Sequence, residues 1–127
     1  METKKVNILV VDDDKNTRTY VAKILSGKNW HVDTAADGQT ALSLVKNNSY
    51  NAVVLDYCMP GIDGVEVCRR IKEIQPDTRE VFLTGYATIH TISLAFEAGA
   101  DRLLAKPINP QELIHVLEMQ MAGSGSP

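Results

Sequence analysis

Five side chains stand where short apolar runs stop, and the acids among them suit the binding of a cation. The run 6–11 ends at Asp12-Asp13-Asp14, 52–55 ends at Asp56, 80–83 ends at Thr84, and 102–105 ends at Lys106. Three carboxylates brought together repel, and burying uncompensated negative charge is expensive, so Asp12, Asp13 and Asp56 are best explained by a bound cation. Oxygen donors select a hard metal. Magnesium is typically held by one or two carboxylates with waters and a phosphate oxygen; it fits this sparse set better than calcium, and no EF-hand spacing is present. Taken singly, Asp12 and Thr84 read as a cap or a turn residue and Lys106 as a surface lysine. Their convergence on one rim reverses that reading.

The elements that must position them follow from apolar periodicity. Residues 6–11 form a nearly continuous β-branched run, the pattern of a strand buried on both faces. From Lys15 to about Ser26 the residues Tyr20, Val21, Ile24 and Leu25 recur at helical spacing, with Gly27 as the stop. Residues 30–35 read as a second strand. Asp37 then caps a helix carrying Ala41, Leu44 and Val45, broken at Asn47-Asn48. After the strand 52–55, a loop dense in turn formers, Met59-Pro60-Gly61-Ile62-Asp63-Gly64, leads to a helix with Val67, Ile71 and Ile74, closed by Pro76. Gly61 and Gly64 read as turn residues, Asp14 as a helix cap or a surface charge, and Asp63 as a turn stabiliser, both acids outside the metal set. Residues 80–83 make a fourth strand; Ile89, Ile92 and Phe96 space a fourth helix closed by Gly99; 102–105 is a fifth strand; Asn109-Pro110 opens a last helix through Leu113 and Leu117.

Five strands alternating with five helices at short spacing demand parallel strands joined by right-handed crossovers, an open doubly wound α/β sheet. A closed barrel would need eight such units. Ligands of open α/β sheets bind beyond the carboxyl ends of the strands, the rim where all five side chains lie.

Composition bounds the remaining classes. At 127 residues, with 44% hydrophobic and 23% charged residues, the chain has the balance of one folded domain, expected over 1–122, with 123–127 as a flexible tail or expression scar. A net charge of −3 disfavours direct nucleic-acid binding, and the basic cluster Arg69, Arg70 and Lys72 is expected to form a solvated helix face. Cys58 and Cys68 lack C-x-x-C spacing, so neither a disulfide framework nor a zinc site is suggested, and a reducing cytoplasm is the expected location. Cys68 reads as core. The first apolar run is too short for a signal segment or membrane span. His31, His90 and His115 are scattered without ligand spacing and carry no expected role.

Four ordered motifs, Val10-Val11-Asp12-Asp13-Asp14, the stretch from Leu55 and Asp56 to Gly64, Leu83-Thr84-Gly85, and Lys106-Pro107, resemble the response-regulator receiver family over residues 6 to about 121. The resemblance implies a flavodoxin-like (βα)5 sheet of order 2-1-3-4-5, as in chemotaxis regulators. It implies that Asp56 accepts a phosphoryl group from a sensor histidine kinase or phosphotransfer protein. It further implies that Asp12, Asp13, Asp56 and the backbone carbonyl of Cys58 surround magnesium, that Thr84 and Lys106 contact the phosphoryl group, and that a cis peptide bond precedes Pro107. A downstream protein or output domain would read the state, with homodimerisation through the fourth helix, fifth strand and fifth helix as one route. One departure stands out: many receivers carry Tyr or Phe three residues before the lysine, where this chain has Leu103. The rival readings are a magnesium-dependent aspartyl phosphatase of the haloacid dehalogenase type, a nucleotide-binding flavodoxin relative, and a non-phosphorylated scaffold. Against the first, Cys58 stands where Asp-x-Asp would need a second acid; against the second, no G-x-G-x-x-G follows the first strand.

Overall fold

The computed structural model describes residues 5–57, 63–85 and 87–123. Its elements alternate as β1 (Asn7–Val11), α1 (Lys15–Ser26), β2 (His31–Ala35), α2 (Gly38–Asn47), β3 (Ala52–Asp56), α3 (Gly64–Ile74), β4 (Arg79–Thr84), α4 (Ile89–Glu97), β5 (Arg102–Ala105) and α5 (Pro110–Gly123). All strand pairs are parallel and the sheet order is β2-β1-β3-β4-β5, the doubly wound arrangement expected from the alternation. The strand order reverses between β1 and β3, so their carboxyl ends open a crevice.

Successive strand residues face opposite sides, which divides the core in two. Leu9, Val11, Val53, Leu55 and Phe82 meet α2, α3 and α4 through Leu42, Val45, Val67, Ile71 and Ala95. Ile8, Val10, Val54, Val81 and Leu83 meet α1 and α5 through Val21, Leu25, Leu113 and Leu117. Burial on both faces explains why the inner strands read as unbroken apolar runs.

Helix starts are fixed by side-chain caps, which satisfy backbone N–H groups that a helix leaves unpaired. The carboxylates of Asp14, Asp37 and Asp63 accept from the backbone N–H of Thr17, Thr40 and Glu66 at 2.9, 2.8 and 2.9 Å. Asp63 therefore acts as the N-cap of α3. Thr88 and Thr91 form a reciprocal capping box on α4.

Several expectations are corrected. Tyr20, counted with the apolar face of α1, is 49% exposed; the buried positions of that helix are Val21 and Leu25. On α4, Ile89 and Phe96 are 86% and 46% exposed and Ala95 is the buried residue, because only one narrow side of the helix meets the sheet. Arg69 and Arg70 are solvated as expected, but Lys72 turns inward: its Nζ donates to the Thr78 carbonyl at 2.7 Å and pairs with Asp101 at 3.3 Å. α5 runs through Gly123, one residue into the stretch expected as a tail; residues 124–127 lie outside the described residues.

Candidate acidic metal site

β1, β3, β4 and β5 deliver their last or next residue to one rim. Asp56 and Thr84 are the terminal residues of β3 and β4, while Asp12 and Lys106 directly follow β1 and β5. Asp12, Asp56 and Thr84 are buried, Lys106 is partly buried, and Asp13 is exposed. Carboxylate oxygens of Asp12, Asp13 and Asp56 all lie within 4.8 Å of one another. Lys106 Nζ donates to Asp56 Oδ1 at 3.2 Å and stands 3.7 Å from Asp12 Oδ2. The Lys106-Pro107 peptide is cis, and Lys106 N–H donates to the Thr84 carbonyl at 2.7 Å, tying the ends of β4 and β5 together.

The electrostatics suit a bound cation. Burial raises the Asp12 carboxyl above its ordinary range; the hydrogen bond from the Asp14 N–H opposes this, and the Asp56 charge adds to it. Burial opposes the charge on Lys106, but the charge and hydrogen bond of Asp56, backed by Asp12 and Asp13, outweigh it and raise the ammonium pKa. Lys106 alone does not neutralise three acids. Asp12 Oδ1 accepts from Asp14 N–H at 2.9 Å, whereas the buried Asp12 Oδ2 makes no hydrogen bond. An orphaned buried carboxylate oxygen beside two further carboxylates, all hard donors, fits a divalent cation such as magnesium.

Two further residues shape this rim. Arg18, on the first turns of α1, donates from Nη1 to the Asp12 carbonyl at 2.9 Å and so anchors the β1–α1 loop. The sequence offered no signal beyond a cation six residues from an acid. Gly64, expected as a turn residue, is the first residue of α3, and a Cβ there would lie 2.5 Å from the Asp56 carbonyl oxygen. The absence of a side chain lets α3 begin directly against the end of β3. Cys58 and residues 59–62 of the adjoining loop, including the carbonyl expected to face magnesium, lie outside the described residues.

Comparison with known proteins agrees with this geometry. Residues 8–118 match the family model of the response regulator receiver domain. The response regulator MprA of Mycobacterium sp. strain KMS is 41% identical over 109 residues, which are 86% of this chain and 47% of that protein. This chain thus spans about half the length of the curated relatives it matches. Among solved structures, the CheY-like receiver domain protein of Methanospirillum hungatei JF-1 superposes with a TM-score of 0.92 at 26% identity, covering 95% of this chain and 97% of that one. A Burkholderia pseudomallei response regulator, solved with a phosphorylated aspartic acid, a calcium ion and citrate, gives 0.85 at 29% identity over 94% of this chain and 70% of that one. The parallel sheet, the strand-end acids and the family match together establish that this chain belongs to the response-regulator receiver family of two-component systems.

Proposed function

We propose that Asp56 is the phosphoacceptor of a magnesium-dependent switch. The observation that carries the proposal is the closeness of the Asp12, Asp13 and Asp56 oxygens, with Lys106 seated on Asp56. An Asp56 carboxylate oxygen attacks the phosphorus of a phosphohistidine on a sensor kinase or phosphotransfer protein, or of a small acyl phosphate. The new P–O bond forms as the donor P–N or P–O bond breaks, and the electron pair leaves with the imidazole or the carboxylate. Asp12, Asp13 and Asp56, with the Cys58 carbonyl implied by family resemblance, are the groups that would hold magnesium. When bound, magnesium offsets charge on the transferring oxygens. Lys106 supplies a second positive charge from the β5 side.

The product adds about −1.5 to −2 charge at the end of β3, which draws the Thr84 hydroxyl and the loop after β4 inward. Leu103, partly buried against the core, then repacks where many receivers carry an aromatic ring. The face of α4, β5 and α5, implied by the family resemblance, is the surface that a downstream protein, an output module or a second copy would read, and α4 carries the exposed Ile89 and Phe96. On this reading the domain, residues 1–122, turns over only its own phosphoryl group and works in the cytoplasm without contacting nucleic acid directly. Among the described residues no helix is long and apolar enough to cross a membrane.

NMR shift mapping with magnesium and beryllofluoride, a phosphoryl mimic, tests the switch. Shifts are expected at Thr84 and onward into α4 and β5. Shifts confined to the residues around Asp12 and Asp56 would overturn this route for the signal.

A further inference from the structure

The strand that ends in Thr84 carries another buried acid near its start. Glu80 is 0% exposed, and among the described residues neither of its carboxyl oxygens has a hydrogen-bond partner. Its surroundings come from three elements. From α3, the Cys68 thiol stands beside it, and that thiol also donates to the Ala98 carbonyl at 3.6 Å. Also from α3, Lys72 is committed elsewhere, to the Thr78 carbonyl and to Asp101. From the turn between α4 and β5, Asp101 accepts the Glu80 N–H at 2.8 Å and pairs with Arg79 at 3.3 Å. On β3, the register partner is Val53, which carries no charge. Both nearby cations thus serve Asp101, a like charge to Glu80.

Lys72 has little freedom to change partner. A Cβ on Gly99, which holds a φ of +114°, would lie 2.7 Å from Lys72 Cγ, so the lysine stem runs flush against that turn. A carboxylate at Glu80 would be buried without a hydrogen bond or a free cation, a costly state; a neutral acid is the form this pocket accepts.

We propose that Glu80 is held as a neutral carboxylic acid and acts as a proton-linked latch joining α3 to the α4–β5 turn, released when it ionises. Burial pushes its carboxyl up from an ordinary 4.5 to about 8, with Cys68 and Lys72 pulling down and Asp101 pushing further up. The folded-state pKa is raised, so the stability this proton contributes is fully present below about 4.5 and is lost as pH rises through about 8. Because Lys72 is pinned, an ionised Glu80 draws in water instead. Water entering between α3 and the α4–β5 turn weakens the Lys72 ties to Thr78 and Asp101, and with them residues 98–101. Because α4 ends at that turn, cytoplasmic alkalinity weakens its support and alters how firmly Ile89 and Phe96 are presented. The device is independent of phosphoryl transfer at Asp56, so its failure would leave that reading intact.

The test is a pH titration of the Glu80 side-chain carboxyl carbon by NMR on the full chain, with backbone amide exchange in wild type and Glu80→Gln. A midpoint near 8 is expected. Between about pH 6.5 and 9, exchange at residues 98–101, corrected for intrinsic base catalysis, should rise roughly tenfold more in wild type than in Glu80→Gln. A midpoint below about 6, none below about 9.5, or equal exchange in both proteins would overturn the latch. If Glu80→Gln does not fold, the wild-type carbon titration decides alone.

Discussion

Replacing Gly64 by alanine probes the contact that sets the phosphoacceptor end of β3 against α3. The added Cβ would lie 2.5 Å from the Asp56 carbonyl oxygen, 2.9 Å from that of Tyr57 and 3.0 Å from Cε1 of Phe82. Ordinary contact begins at 3.4 Å, so the closest approach falls short by roughly 0.9 Å. Two of the three atoms are backbone and have no rotamer with which to give way. Overpacking a dense interior costs about 1–3 kcal/mol, and three simultaneous contacts place this site near the top of that range. Alanine recovers about 0.5–1 kcal/mol of helix propensity, leaving a net loss of about 2 kcal/mol. With a urea slope of roughly 1–3 kcal/mol per molar, the unfolding midpoint should fall by about 1 M. Gly85→Ala is the control, because a Cβ there meets nothing within 4 Å; its stability should stay within about 0.5 kcal/mol of wild type. Equal midpoints for wild type and Gly64→Ala, followed by circular dichroism, would refute the close approach of α3 to Asp56.

Asp12→Asn should stabilise the metal-free protein at neutral pH, since it keeps the Oδ1 acceptor for Asp14 N–H while removing a buried charge beside Asp56. Magnesium should raise the wild-type melting temperature, worth about 2.7 kcal/mol at a hundredfold excess over Kd, and raise that of Asp12→Asn less. Thermal unfolding with and without the ion checks both, and a metal-free Asp12→Asn that melts lower than wild type would count against acid crowding. In the beryllofluoride experiment, Thr84→Ala should retain shifts around Asp56 and lose those in α4 and β5. Leu103→Ala should disturb the same distal shifts by loosening the packing of a partly buried residue.

The fold was legible because each local signal agreed with the global arrangement. Unbroken apolar runs marked strands buried on both faces, and Asp37 marked a helix start; most boundaries moved by one residue. The acids, Thr84 and Lys106 were legible because each ends a run, and parallel topology gathers such ends on one rim. What escaped depends on distant neighbours. Helical spacing placed Ile89 and Phe96 on one face without revealing that both stay exposed. Lys72 read as a solvated cation because Asp101 and the Thr78 carbonyl reach it only through the fold. Glu80 began an apolar run and showed nothing of its burial between Cys68 and Asp101, and the need for glycine at position 64 arises from a carbonyl brought in by β3.

Phosphotransfer to Asp56 is tested most directly by intact-mass measurement after incubation with acetyl phosphate and magnesium. One phosphoryl adduct per chain is predicted, absent in Asp56→Asn and abolished by excess chelator. An undiminished adduct in Asp56→Asn, or full labelling under chelator, would contradict the account.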